Sequence, residues 1–170
     1  ILNCSRQAGK STAIAALALH KALFTNDALI ILLSRAQRQA SELFRKVIDF
    51  YNAIDRPVSA LAESVLKLDL SNGSRIIALP GKEGTIRSFS GVTLLIIDEA
   101  ARVPDDLYRT VRPMLAVTNG RLICLSTPWG KRGWFHDAWQ GQEADAALDR
   151  ETVEHLLADL YPQGWTLTEN

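Results

Sequence analysis

Three short Leu- and Ile-rich runs, residues 28–33, 93–97 and 121–125, each break off at a polar segment, and stretches of helical length separate them. An apolar run this short and without alternation fits a strand buried on both faces, and such strands occur in parallel sheets covered by helices. Between the runs, residues 9–24 are rich in Ala and Leu at helical spacing. Residues 36–54 place Ala40, Leu43, Phe44, Val47, Ile48 and Tyr51 on one helical face. The pattern predicts an α/β domain with a mostly parallel sheet flanked by helices. Ligands of such sheets bind at the carboxyl ends of the strands. Polar clusters fall at three such ends, residues 4–11, 98–99 and 126–128.

The rest of the chain reads around this frame. Residues 1–3 resemble the end of a strand whose start is expected to be missing. Alternation in residues 65–70 and 75–79, on either side of Asn72-Gly73, predicts an inserted β-hairpin. Residues 55–64, around Pro57, read as a loop or short helix, and residues 81–91 as a Gly-rich loop carrying Lys82 and Arg87. Pro104 opens a helix expected over 105–116; others are expected from Trp134 to Trp139 and over 151–160.

A chain of 170 residues with 47% apolar content can bury one core without staples. Cys4 and Cys124 lie in separate apolar segments, which fits neither a disulfide framework nor a metal spacing and predicts a reducing compartment. The longest apolar candidate, residues 13–24, is interrupted by His20 and Lys21, so no membrane span or secretory leader is expected. Residues 1–140 carry a net charge of +6 and residues 141–170 carry −6, so a mildly basic body able to meet polyanions precedes an acidic tail.

The segment Cys4-Ser-Arg-Gln-Ala-Gly-Lys-Ser-Thr12 lies between a strand end and a helix start. It matches a phosphate-binding loop with Cys4 in the first Gly position. Gly9 lets backbone N–H groups turn toward phosphate oxygens, and the helix start adds positive potential. Ser5, Gln7, Ala8, Gly9, Lys10, Ser11 and Thr12 are therefore the candidate ATP-binding segment. Lys10 suits the β- and γ-phosphates, and the Ser11 hydroxyl suits Mg²⁺.

Four apolar residues then lead into Asp98-Glu99. Asp98 can hold Mg²⁺ through water, and Glu99 can orient or deprotonate the attacking water. An acidic helix start is the plainer alternative. Both clusters in order, each at a strand end, predict a P-loop NTPase of the RecA/ASCE-like kind. Ser126-Thr127-Pro128 ends the next strand, where it can contact the γ-phosphate or the water.

Arg6 either reaches the transferred phosphoryl or faces solvent. Arg87 can bind DNA, pair with an acid or act on a neighbour's nucleotide. Arg102 can pair with Asp105 or Asp106, or orient Glu99. Trp129, Trp134, Phe135 and Trp139 read as core, with base stacking beside Lys131 and Arg132 as the alternative.

The loop, the segment Leu95-Ile-Ile-Asp-Glu-Ala-Ala-Arg102, and Leu125-Ser-Thr-Pro-Trp-Gly-Lys-Arg-Gly133 resemble the ATPase domain of tailed-phage terminase large subunits. The hairpin and Thr85-Ile-Arg-Ser-Phe-Ser-Gly91 are also similar, although Ser88 is commonly Gly in that family. The resemblance covers residues 1–140 and implies an ATP-driven motor that packs double-stranded viral DNA into a capsid. It assigns Lys10 and Ser11 to nucleotide and Mg²⁺, Asp98 to the metal, Glu99 to catalysis, and Arg6 to triggering hydrolysis. Ser126, Thr127 and Pro128 become the element coupling hydrolysis to movement.

The implied partners are the portal protein, a small terminase subunit and further copies in a ring, in the host cytoplasm and transiently at the procapsid portal. A nuclease domain, usual in the family, is expected to be absent. The acidic tail, residues 141–170, does not resemble the family's continuation, which leaves a non-catalytic prophage remnant as an alternative. A DEAD-like helicase lobe is another, since Asp98-Glu99-Ala100-Ala101 resembles that group's acid motif.

Overall fold

The computed structural model describes residues 1–5, 7–81 and 89–141. Arg6, Lys82, Arg87 and the helix expected over 151–160 lie outside the described residues.

In chain order the elements are β1 (Leu2–Asn3), α1 (Lys10–Phe24), β2 (Leu29–Ser34), α2 (Gln37–Ala53), β3 (Ala60–Glu63), β4 (Lys67–Leu70), β5 (Arg75–Pro80) and β6 (Leu94–Asp98). A 3-10 turn (Ala100–Arg102), α3 (Asp105–Val111), α4 (Pro113–Ala116), β7 (Arg121–Ser126) and α5 (Trp134–Trp139) follow. Among the described residues the strands form one sheet in the order β1-β7-β6-β2-β5-β4-β3. The pairings from β1 to β5 are parallel, and β4 and β3 are added antiparallel. The expected α/β architecture with a hairpin insertion is the one observed.

All six residues of β2 are buried. Ile30 and Leu32 belong to the layer formed with α1 and α2, alongside Ile14, Leu43 and Val47. Leu29, Ile31 and Leu33 belong to the opposite layer, alongside Leu107, Val111 and Trp134. Burial on both faces is why this strand shows no polar alternation.

Two expectations need correction. Residues 60–63 form an edge strand rather than a loop or helix. Ala-Leu-Ala-Glu has weak strand propensity, and its conformation comes from pairing with β4, which sequence pattern does not carry. The helix expected over 105–116 is two pieces, α3 and α4, dividing at Arg112. Pro113 has no N–H for the helical ladder and instead opens α4.

The hairpin turn docks on the connection after α1. Asn72 Nδ2 donates to the Ala22 carbonyl at 2.8 Å, and the Ala28 amide donates to Ser74 Oγ at 3.1 Å. Gly73 sits at φ 81°, where a Cβ would lie 2.0 Å from Asp27 Oδ1.

Placement of β7 between β1 and β6 sets the site. Asn3 pairs with Ser126, and Asp98 pairs with Leu125. All three polar clusters therefore leave the sheet side by side at its carboxyl edge.

Candidate functional site

The loop after β1 turns into α1 through left-handed backbone. Gln7 has φ 62°, and Gly9 has φ 73° and ψ 7°. The Gly9 carbonyl accepts from Thr12 N–H at 2.9 Å and from Ala13 N–H at 3.0 Å, which closes the first turn of α1. No side chain caps this helix start, which leaves its first N–H groups open to a ligand. Lys10 Nζ donates to the carbonyls of Ser5 at 2.8 Å and Cys4 at 3.4 Å, holding the ammonium over the loop. Cys4 is a partly buried free thiol whose amide donates to the Ser126 carbonyl at 3.0 Å.

Asp98 ends β6 and Glu99 turns off it in the left-handed region, at φ 54° and ψ 39°. That conformation is uncommon for Glu, and such backbone concentrates at functional sites. It lets the Glu99 amide donate to Asp98 Oδ1 at 2.9 Å. Burial raises the Asp98 pKa above the usual carboxylate range, and the neighbouring Glu99 carboxylate adds to the shift. The Glu99 amide, Lys10 and Lys46 oppose it.

Arg102 holds Glu99. Its Nε lies 3.2 Å from Glu99 Oε2, and its guanidinium carbon lies 3.8 Å from the Trp129 ring centroid. Of the pairings open to Arg102, the one that orients Glu99 is realised; Asp106 pairs with Arg109 instead.

Ser11, Asp98 and Glu99 line one open cleft of about 820 Å³, together with Arg35, Arg38, Gln39 and Lys46. Lys46 Nζ donates to Thr12 Oγ1 at 3.3 Å, so Thr12 faces α2. Ser126 is buried at the sheet edge, its Oγ donating to the Thr127 carbonyl at 2.9 Å, while Pro128 is exposed. A hard cation with a triphosphate fits this donor set, because Ser11 and Asp98 offer oxygen ligands in one cleft and the Lys10 charge acts on Asp98.

The aromatic residues divide. Trp134 and Phe135 are core, with Trp134 stacked on Tyr108 at 3.8 Å and donating Nε1–H to the Val103 carbonyl at 2.8 Å. Trp129 and Trp139 are about half exposed, against the reading of the whole group as core.

The cleft also takes Arg35, Arg38 and Lys46, which the apolar face of residues 36–54 does not reveal. The available signal was that Arg35 and Arg38 directly follow the carboxyl end of a buried strand.

Residues 1–164 match the family model described as terminase large subunit, T4likevirus-type, N-terminal, so the likeness reaches past residue 140. The fold is similar to the large terminase ATPase domain of Thermus phage P74-26, with TM-score 0.68, 21% identity, and coverage of 79% of this chain and 61% of that one. It is similar to the large terminase of bacteriophage HK97, with TM-score 0.70, 21% identity, and coverage of 86% and 33%. A large terminase from a thermophilic bacteriophage, solved with ADP, matches with TM-score 0.68, 13% identity, and coverage of 91% and 42%. This chain thus spans between about a third and three fifths of the length of these solved relatives. At these identities the solved structures bear on the fold, a P-loop sheet flanked by helices. With a family model that spans nearly its whole length, the chain belongs to the terminase large subunits of the T4likevirus type, as an N-terminal region.

Proposed function

We propose that this chain is the ATP-hydrolysing motor domain of a phage or prophage terminase large subunit, which drives viral DNA into a capsid. The observation that carries this reading is the convergence of Ser11, Asp98 and Glu99 on one cleft, with Glu99 held by Arg102. Bound Mg-ATP supplies the scissile phosphoanhydride and a metal that neutralises charge developing on the phosphates.

The chain's own residues do the rest. Loop N–H groups and Lys10 would bind the phosphates, while Ser11 and Asp98 would hold the metal. Glu99 accepts a proton from the attacking water, and the Arg102 pair fixes its direction. Arg6, within the loop, stabilises charge on the transferred phosphoryl. Ser126, Thr127 and Pro128 transmit the change to the rest of the motor.

In this reading residues 1–140 are the motor domain and residues 141–170 an acidic extension. The wider partners are double-stranded DNA, the portal protein, the small terminase subunit and further copies in a ring.

Calorimetric titration with Mg-ATP tests the loop. Lys10→Ala removes the main phosphate cation and abolishes detectable binding; equal affinity in the two proteins would refute the assignment.

A further inference from the structure

The cleft lining carries both signs of charge. Asp98 and Glu99 line it from the end of β6, and Arg35, Arg38 and Lys46 line it from α2 and its lead-in. Gln39, Glu42 and Lys46 recur at helical spacing and form one stripe on α2, and Arg35 lies just before the helix start. Glu42 does not neutralise that stripe, because Arg45 pairs with it. Arg35 and Arg38 have no ion-pair or hydrogen-bond partner among the described residues.

The helix start reinforces the charge. Helix α2 starts at Gln37 with no side-chain cap, which adds the partial positive charge of its leading N–H groups. Two unpaired guanidiniums and Lys46 lining the cleft, beside an uncapped helix start, form the donor set of an oxyanion site.

We propose that the α2 wall is a second anion subsite, which takes inorganic phosphate after its cleavage from nucleotide on the loop. The proposal rests on the ATPase reading and adds no covalent step. In hydrolysis the water oxygen joins the γ-phosphorus, the bond to the bridging oxygen breaks, and phosphate separates from ADP. Asp98 and Glu99 repel the freed dianion, while Arg35 and Arg38 attract it across the cleft in bidentate geometry. The subsite draws phosphate off the loop and clears Glu99 for the next water.

The test is titration of the full chain with inorganic phosphate at constant ionic strength, with and without Mg-ADP, followed by phosphorus NMR. Double substitution Arg35→Ala with Arg38→Ala lowers phosphate affinity about tenfold or more, the worth of charge-assisted hydrogen bonds. Double substitution to Lys restores part of the loss. Both side chains are exposed, so the fold is retained, which an unchanged thermal midpoint checks.

Unchanged phosphate affinity in the Ala variant would overturn the subsite, whether or not Mg-ADP binds. Loss of affinity for a short DNA duplex with phosphate affinity intact would assign the arginines to a polynucleotide, which also overturns it. Failure of Mg-ADP to bind the wild type would count against the loop reading alone, since the phosphate titration decides the subsite separately.

Discussion

The Cys4 amide donates to the Ser126 carbonyl at 3.0 Å, which ties the first residue of the loop to the last residue of β7. Strand β1 has only two residues, so this bond extends a short pairing into the loop itself.

Removing the donor is expected to weaken this link. Cys4→Pro lacks the N–H and leaves a buried carbonyl underpaired, at a cost of about 1–3 kcal/mol. Cys4→Ala keeps the bond and stays within about 1 kcal/mol, since the thiol is only a small packing group. Urea unfolding of the two variants separates them. Equal stability would show that the bond contributes nothing.

The Glu99–Arg102–Trp129 stack is expected to matter for rate more than for stability. Both ends are partly exposed, so the ion pair adds no more than about 1 kcal/mol to folding. Arg102→Ala is expected to lower turnover about tenfold, as for an orientation loss near 1.4 kcal/mol in the barrier. ATP affinity stays close to normal. Arg102→Lys rescues little, because an ammonium cannot both stack on Trp129 and present Nε. Steady-state hydrolysis and nucleotide titration on the same preparations check the split between rate and affinity.

Asp98 predicts a pH signature. Its native pKa is raised chiefly by burial, so the folded state holds a proton that the unfolded state releases. The ionised carboxylate therefore costs stability fully above the native pKa, and the cost disappears below the unfolded value of 3.8. Without metal or nucleotide, Asp98→Asn is expected to melt higher than wild type at neutral pH. That advantage shrinks as pH falls toward the acid range. Metal-dependent nucleotide affinity falls in the same variant. Thermal melts across pH check the sign, and a lower neutral melting point for Asp98→Asn would contradict it.

The hairpin turn offers a test of the fold alone. Gly73→Ala meets both a left-handed backbone and the Asp27 carboxylate, so it is expected to destabilise the domain by more than about 1 kcal/mol. Urea midpoints measure this, and a neutral effect would mean that the turn relaxes.

The buried strands and the three polar ends were legible because apolar run length and ligand-end clustering are local properties. Asn72-Gly73 likewise fixed its hairpin through backbone requirements. Strand β3 was not legible, since its residues take strand form only beside β4. The α2 cations are not legible because helical periodicity marks the apolar face and does not say which cations line a cleft. The stacking of Trp129 on Arg102 depends on β7 lying next to β6, a sheet order that spacing along the chain does not state.

The central claim is that Glu99 activates water against a nucleotide held on the loop, and single-turnover hydrolysis by Glu99→Gln tests it most directly. Gln keeps the size and accepts a hydrogen bond but is too weak a base to take the proton. The account predicts Mg-ATP affinity near that of wild type with hydrolysis slowed about 10²-fold or more, the usual worth of a positioned general base. Hydrolysis at the wild-type rate by Glu99→Gln would contradict it.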